Sequence, residues 1–471
     1  MTTKTSELEV ETQLHPGSDN VLGIRRRDQF IQSAIIGVLV GGAAVLFQLS
    51  LNFLETTRFQ ILKDLKFHQA WGWVILPIVG GILAGFGGYL TERFAPEASG
   101  SGIPHVKAVL LNIREINWRR LLPVKFFAGL LTISGGLSVG REGPTVQMGA
   151  AIGKASADYL HTGKSSTRHL IAAAAGAGLS AAFNAPLAGF IFVIEELQRE
   201  LSPLTFGSAF IACVTSVAIS RIFTGQMPSF HIRGYPMPPL TALPLFALVG
   251  LVAGYTGLIF NRLLMASIRR SKKMKMPMWM KTAAMGVLGG LIAWWLPEAI
   301  GGGHHAAESI LQGKFASSDV ILFLVILFIV KFGFSILSYA TGAPGGIFAP
   351  LLVLGAIIGL LFGQVSAFAF PELGTTPAAF AVVGMAAMFT SIVRAPLTGI
   401  VLILEMTGNQ EQLFALILAC LVAYLVAEHS GDKPIYESLM EDDLSRSEKK
   451  QMREELQSET PTLFSDDEGK V

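Results

Sequence analysis

Long uncharged apolar runs set the pattern of this chain. They span residues 29–54, 69–91, 169–194, 202–220, 234–261 and 332–371, and each is long enough to cross a hydrocarbon core about 30 Å thick. None shows the alternating apolar and polar positions of a membrane-spanning strand, so the pattern predicts a bundle of membrane helices and not a barrel. Glycine-rich breaks containing a proline interrupt the pattern: GSGIP at 100–104, GREGP at 140–144 and GGIFAP at 345–350. Proline suits the first turn of a helix and glycine lets the chain turn sharply ahead of it, so each break predicts a helix that starts inside the membrane region.

Three blocks of the pattern repeat. VKFFAGLLTISGGLSVGREGPTVQMGAAIG from Val124 aligns without a gap on VKFGFSILSYATGAPGGIFAPLLVLGAIIG from Val330, so that Lys125 meets Lys331, Pro144 meets Pro350 and Gly153 meets Gly359. PEASGSG at Pro96 matches PEAIGGG at Pro297, and APLAGFIFVIE at Ala185 matches APLTGIVLILE at Ala395, in the same order. The membrane region therefore reads as a duplication. The first repeat follows Arg25, Arg26 and Arg27, whereas the second follows QMPSFHIRGYPMPP, with one arginine and no lysine. Basic residues stay on the cytoplasmic side, so the halves are expected to enter from opposite faces, as inverted repeats with a site between them. The expected divisions are a cytoplasmic segment 1–29, repeats 30–235 and 236–440, and a polar cytoplasmic tail 441–471.

Composition agrees with the pattern. The chain is 51% hydrophobic and 15% charged, with a mean hydropathy of +0.53, outside the range of a soluble globular domain. No apolar run precedes the three arginines, which argues against a cleaved secretory signal. Cys213 and Cys420 both sit in apolar segments and read as small core residues, not as a disulfide framework. A second basic cluster, Arg269, Arg270, Lys272, Lys273 and Lys275, marks another cytoplasmic end. From Glu441 onward there are 10 acidic and 5 basic residues among 31, which reads as a solvated tail with no appended regulatory domain. No cofactor, metal or nucleic-acid partner is indicated.

The breaks carry the chemistry. A helix start presents unpaired N–H donors and about half an elementary positive charge, so several starts aimed at one point make an anion site without a lysine or arginine. A full charge there would hold a small anion too tightly for rapid passage. Glu142 lies two residues before Pro144, where its carboxylate takes the place of an anion; once protonated it leaves, which links anion and proton occupancy. The bland alternative is a capping carboxylate or a pair with Arg141. Glu195 aligns with Glu405 in the repeat and is expected to be structural, packing against Lys125 or Lys331. Glu196 aligns with Met406. This unmatched acid is the candidate for a second proton station, against the plainer reading of a solvated helix end near Arg199.

At these residues the chain resembles the CLC family of chloride channels and chloride/proton antiporters, in its short bacterial form, over about residues 30–440. The resemblance implies an all-α polytopic fold of two inverted repeats built from broken and tilted helices. It implies that Ser101 and Tyr436 coordinate chloride by their hydroxyls, with backbone amides of Ile347 and Phe348 and with Gly143 beside them. Glu142 matches the gating glutamate and Glu196 the internal proton glutamate. Channel members lack an acid at the second position, so Glu196 favours exchange, resembling two anions per proton. Ser101 favours chloride over the proline of nitrate-selective relatives, and GREGP departs from the fluoride-exporting branch. A homodimer with one pathway per subunit, in a bacterial inner membrane with both termini cytoplasmic, is implied in the same way. This chain departs from many relatives at His105 and Lys107, where acids are common; His105 is expected to be a helix-surface residue of modest effect.

Two other readings compete. A passive chloride channel of the same fold would leave nearly the same sequence, and Glu142 with Glu196 argues against it. His304, His305 and Glu308 raise an intramembrane metallohydrolase, but no HExxH occurs and HHAAE lies in the repeat of the GSGIP region. The chain is not expected to be an enzyme.

Overall fold

The structure is a computed structural model that describes residues 18–68, 71–198, 203–230, 232, 234–315 and 320–459. The first 17 residues, Arg199 and the last part of the polar tail lie outside them. Seven of the described helices are long and apolar enough to cross a membrane.

The first half begins with α1 (Ser18–His68) and α2 (Gly72–Phe94), followed by the short α3 (Ile103–Leu110), α4 (Trp118–Ser134), α5 (Glu142–Tyr159), α6 (Lys164–Phe183), α7 (Pro186–Phe192) and α8 (Pro203–Thr224). The second half repeats the series as α9 (Leu243–Lys273), α10 (Met278–Trp295), α11 (His304–Leu311), α12 (Ile321–Ala340), α13 (Phe348–Ala369), α14 (Pro377–Val393), α15 (Pro396–Thr407) and α16 (Leu413–His429). The three glycine-proline breaks do start helices, at Ile103, Glu142 and Phe348. The 332–371 run is broken between α12 and α13 at GGIFAP, as expected, whereas the 169–194 run breaks at Asn184, against expectation. Asn184 has φ 57° and its repeat mate Arg394 φ 66°, so each ends a helix in the left-handed region just before an Ala-Pro start.

The halves are inverted repeats, and equivalent residues meet across the axis between them. Gly140 N–H donates to Gly346 O at 2.7 Å, and Gly346 N–H donates back to Gly140 O at 2.7 Å, a reciprocal antiparallel pairing of repeat mates. Reciprocity of this kind is the mark of two-fold symmetry. α2 and α10 cross backbone to backbone in the same manner: a Cβ at Gly80 would lie 2.5 Å from Gly286 O, and one at Gly286 would lie 2.2 Å from Gly80 O. In lipid, where apolar burial gives no drive between helices, such close contact supplies the packing. Cys213 and Cys420 are buried free thiols, as expected.

The acids and lysines of the repeat are paired differently from expectation. Glu195 accepts the backbone N–H groups of Leu397 at 3.0 Å and Thr398 at 2.7 Å, at the start of α15. Glu405 accepts those of Leu187 at 3.1 Å and Ala188 at 2.8 Å, at the start of α7. Each carboxylate caps the helix of the opposite half, where the first-turn amides have no helical partner and favour a negative charge. Lys125 instead donates to Ala98 O at 2.8 Å and Gly100 O at 2.7 Å. Lys331 does the same to Ala299 O at 3.2 Å and Gly301 O at 2.9 Å. Two buried ammoniums thus clamp the two equivalent PEA turns that precede α3 and α11.

After the second half come α17 (Ile435–Asp443) and α18 (Arg446–Glu459). The polar stretch from Glu441 therefore differs from a plain solvated tail over its first part. Met452 is buried against Ala108, Ile113, Met440 and Leu444, and Arg114 bonds Asp443 Oδ2 at 2.6 Å and Glu448 Oε1 at 2.9 Å. Bonding to Arg114 and Ser445 holds the Glu448 carboxyl at about 2. Among the described side chains, Met452, the bond of Glu448 to Arg114 and that of Gln451 to Asn112 O at 2.9 Å anchor a helix that composition alone reads as free.

Candidate functional site

Three helix starts and one late helix converge between the halves. Gly102, at φ 86°, turns the chain in the left-handed region that glycine alone enters freely, and Pro104 then opens α3. Ser101, just ahead of it, is 1% exposed and donates its backbone N–H to the Tyr339 hydroxyl at 3.2 Å. Gly143 sits so close that a Cβ on it would lie 2.6 Å from Ser101 O and 2.7 Å from Ser101 Oγ. From the other half, Ile347 caps α13 and Phe348 begins it. The Phe348 ring stacks on Tyr436 with centroids 6.1 Å apart, which brings α17 to the same point. Ser101, Gly143, Ile347, Phe348 and Tyr436, separated by up to 335 positions in sequence (436 minus 101), are thus gathered in one place.

Glu142 is 1% exposed. Its carboxylate lies against the start of α13: a Cβ at Gly346 would stand 3.3 Å from Glu142 Oε2, and Glu142 and Ala349 line the same cavity, so an acid from the first half occupies the amide end of α13 in the second. Its Oε2 has no hydrogen-bond partner, and neither has the Tyr436 hydroxyl. The Ser101 side chain faces that hydroxyl without completing a bond to it. Buried polar atoms left without partners are rare, and these two lie on residues packed at the starts of α5 and α13, where first-turn amides are also unpaired. This donor set fits a monovalent anion, and no metal-ligand chemistry enters it.

Two cavities flank this point. One of about 170 Å³ is lined by Glu142, Arg141, Arg58, Glu55, His304 and His305. The other, of about 260 Å³, is lined by Ser101, His105, Tyr339, Arg114 and Lys272. Glu142 closes one side and the Ser101 turn the other. His304 and His305 start α11 at the rim of the first cavity, where His304 stacks on Phe230 at 4.8 Å and His305 meets Phe59 edge-on at 5.7 Å.

Glu196 lies apart from both cavities, in a π-helical turn at Val193–Gln198 that follows α7. It is 2% exposed, so it is not a solvated helix end. Its Oε1 is 2.6 Å from Lys107 Nζ, and Lys107 is itself buried. His105 is also buried, at 8% exposure, and its Nδ1 meets Gln147 Nε2 at 3.2 Å. It is therefore not the surface residue expected, because α3 is enclosed by α5, α6 and α17. Tyr339 and the partnership of Lys107 escaped sequence reading. Tyr339 sits in an uncharged apolar run that gives it no distinguishing neighbour, and the Lys107–Glu196 pair spans 89 positions.

A pair of inverted repeats with broken helices whose starts meet at a buried point defines a class: membrane ion-transport proteins. Comparison with known proteins narrows it. The profile of the family described as voltage gated chloride channel matches residues 80–428, and the chain belongs to that family. It is 38% identical over 415 residues to the H(+)/Cl(-) exchange transporter ClcA of Vibrio vulnificus strain YJ016, covering 87% of this chain and 88% of that one. To the H(+)/Cl(-) exchange transporter ClcA of Salmonella paratyphi B it is 35% identical over 455 residues, covering 92% and 95%. Among solved structures, a slow cyanobacterial Cl-/H+ antiporter superposes with TM-score 0.84 at 32% identity, over 89% of this chain and 98% of that one. A eukaryotic CLC transporter shares the fold at TM-score 0.70 and 22% identity, over 87% and 74%. The family is one of transport proteins, not of enzymes.

Proposed function

We propose that the protein is a secondary active transporter that exchanges chloride for protons across a bacterial inner membrane. The observation that carries this reading is the seat of Glu142, whose buried carboxylate lies against Gly346 at the start of α13 with Oε2 left unpartnered. In that seat the acid competes with an anion for helix-start donors. Chloride is held by the hydroxyls of Ser101 and Tyr436 and by the amides of Ile347 and Phe348, with Gly143 leaving room beside Ser101. When Glu142 takes up a proton, its attraction for the amides falls, it swings toward the cavity at Arg141, and chloride takes its place. When chloride leaves, the carboxylate returns and releases its proton. Glu196 passes protons to and from the opposite side by a route separate from the Ser101 cavity.

The relatives named for H(+)/Cl(-) exchange support this over a passive channel. So does the second buried acid, for which a channel has no use. Both termini are read as cytoplasmic. Lys272, in the basic cluster that ends α9, bonds Asp442 at 2.8 Å, so the end of α17 lies at the same face as those cations. A homodimer fits the resemblance, with one pathway per subunit because Ser101, Glu142, Phe348 and Tyr436 all come from one chain.

Flux measurements on Glu142→Gln and Glu196→Gln in liposomes test the roles. Glu142→Gln is expected to imitate the protonated state, keeping chloride movement and abolishing proton movement; protons still moving in that variant would remove Glu142 as the gate. Glu196→Gln is expected to keep chloride movement and lose its coupling, and preserved coupling would point to another acid.

A further inference from the structure

Lys107 is a buried cation on the last turn of α3, and the structure shows what it meets. Its ammonium, on the last turn of α3, lies 2.6 Å from Glu196 Oε1. Lys107 is 7% and Glu196 2% exposed. An ammonium at bonding distance favours a carboxylate over the carboxylic acid. Removing one partner of a buried pair leaves the other charge uncompensated. A residue that takes up a proton in every cycle must therefore give up this contact in every cycle.

We propose that Lys107 is the positioning residue of the inner proton site: its ammonium seats the Glu196 carboxylate beside α3, and each proton that Glu196 accepts displaces the pair. The inference rests on the assignment of Glu196 as the inner proton carrier. The step is a plain proton transfer. The proton adds to a Glu196 oxygen, Lys107 keeps its own protons, and the released ammonium remains at the carbonyl end of α3, where a cation is favoured. Lys107 so sets how acidic the inner side must be before protons load.

The other ionisable groups on elements packed around the pair have engagements of their own. On α3, His105 meets Gln147. On α5, Lys154 and Asp158 pair at 2.7 Å, and Glu142 sits at the far end. On α6, His169 bonds Thr205 Oγ1 at 2.7 Å, and Arg168 has its own interaction. On α17, Tyr436 borders the anion site and Glu437 lies 3.6 Å from Lys433. Glu195, the chain neighbour of Glu196, is committed to the amides of α15.

The test uses the full chain in liposomes, with chloride and proton fluxes followed from acid to neutral pH for wild type, Lys107→Met, Lys107→Gln, Lys107→Arg and Glu196→Gln. Lys107→Met and Lys107→Gln are expected to raise the pH of half-maximal proton flux by about one unit, a tenfold change in proton affinity, with chloride flux kept within about twofold. Lys107→Arg retains the charge and is expected to keep the wild-type profile. An unmoved midpoint in the neutral variants overturns the proposal and leaves the pair a packing feature. If Lys107→Met does not assemble, Lys107→Gln against Lys107→Arg decides. Failure of the underlying assignment reads differently: coupling preserved in Glu196→Gln withdraws Glu196 as carrier and the proposal with it. Coupling lost there, with unmoved Lys107 profiles, overturns the proposal alone.

Discussion

At Glu142 a carboxylate from one half of the chain lies against the start of a helix from the other. Its setting was legible in part. GREGP in an uncharged surround signals an acid at a helix start, but nothing local says that the start it serves belongs to α13 as well as to its own helix. Gly143 shows how tightly the neighbourhood is drawn. A methyl group there would stand 2.6 Å from Ser101 O, and overpacking of this kind costs about 1–3 kcal/mol. Gly143→Ala is expected to displace the Ser101 turn and lower chloride flux about tenfold or more at unchanged protein yield. Wild-type flux in that variant would show that the Ser101 turn does not hold the anion. The partner of Lys107 and the role of Tyr339 were out of reach of sequence reading because each acts on a residue distant in the chain, and no spacing rule connects them.

Among the elements, the short helices after Ala-Pro explain the two acids at the ends of the repeat blocks. Aligning Glu195 with Glu405 identifies them as equivalents, and charge suggests lysines as partners. The symmetry operator decides otherwise, carrying each acid across the axis to the opposite half's amides, while the lysines satisfy carbonyls of the PEA turns. Backbone donors and acceptors released by broken helices must find partners inside the protein, and here charged side chains supply them. Glu195→Gln or Glu405→Gln removes one charged cap and is expected to lower stability by about 1–2 kcal/mol, seen as earlier loss of the folded protein on heating. The double variant is expected to lose about the sum, because each acid serves a different helix. No change in heat stability for either would show that the swapped caps carry no weight. The breaks at Asn184 and Arg394 went unseen in the sequence because they use left-handed non-glycine residues in place of a glycine run.

Across the whole molecule, two repeats face each other so that helix starts meet in the middle and a cavity opens on each side. The duplication was visible as aligned blocks, and inversion was visible as the difference in basic flanks. The docking of α18 was hidden by its charge, since among the described side chains Met452, Gln451 and the Arg114 partner Glu448 hold it. The arrangement has one consequence above others: anion and proton share the place at Glu142, so a gradient of one must drive the other. Purified protein in liposomes, given a chloride gradient at equal pH on both sides, tests this most directly. Protons are expected to move against their own gradient and to reverse when the chloride gradient is reversed. Chloride flux without proton movement would contradict exchange and make the protein a passive channel built on the same fold.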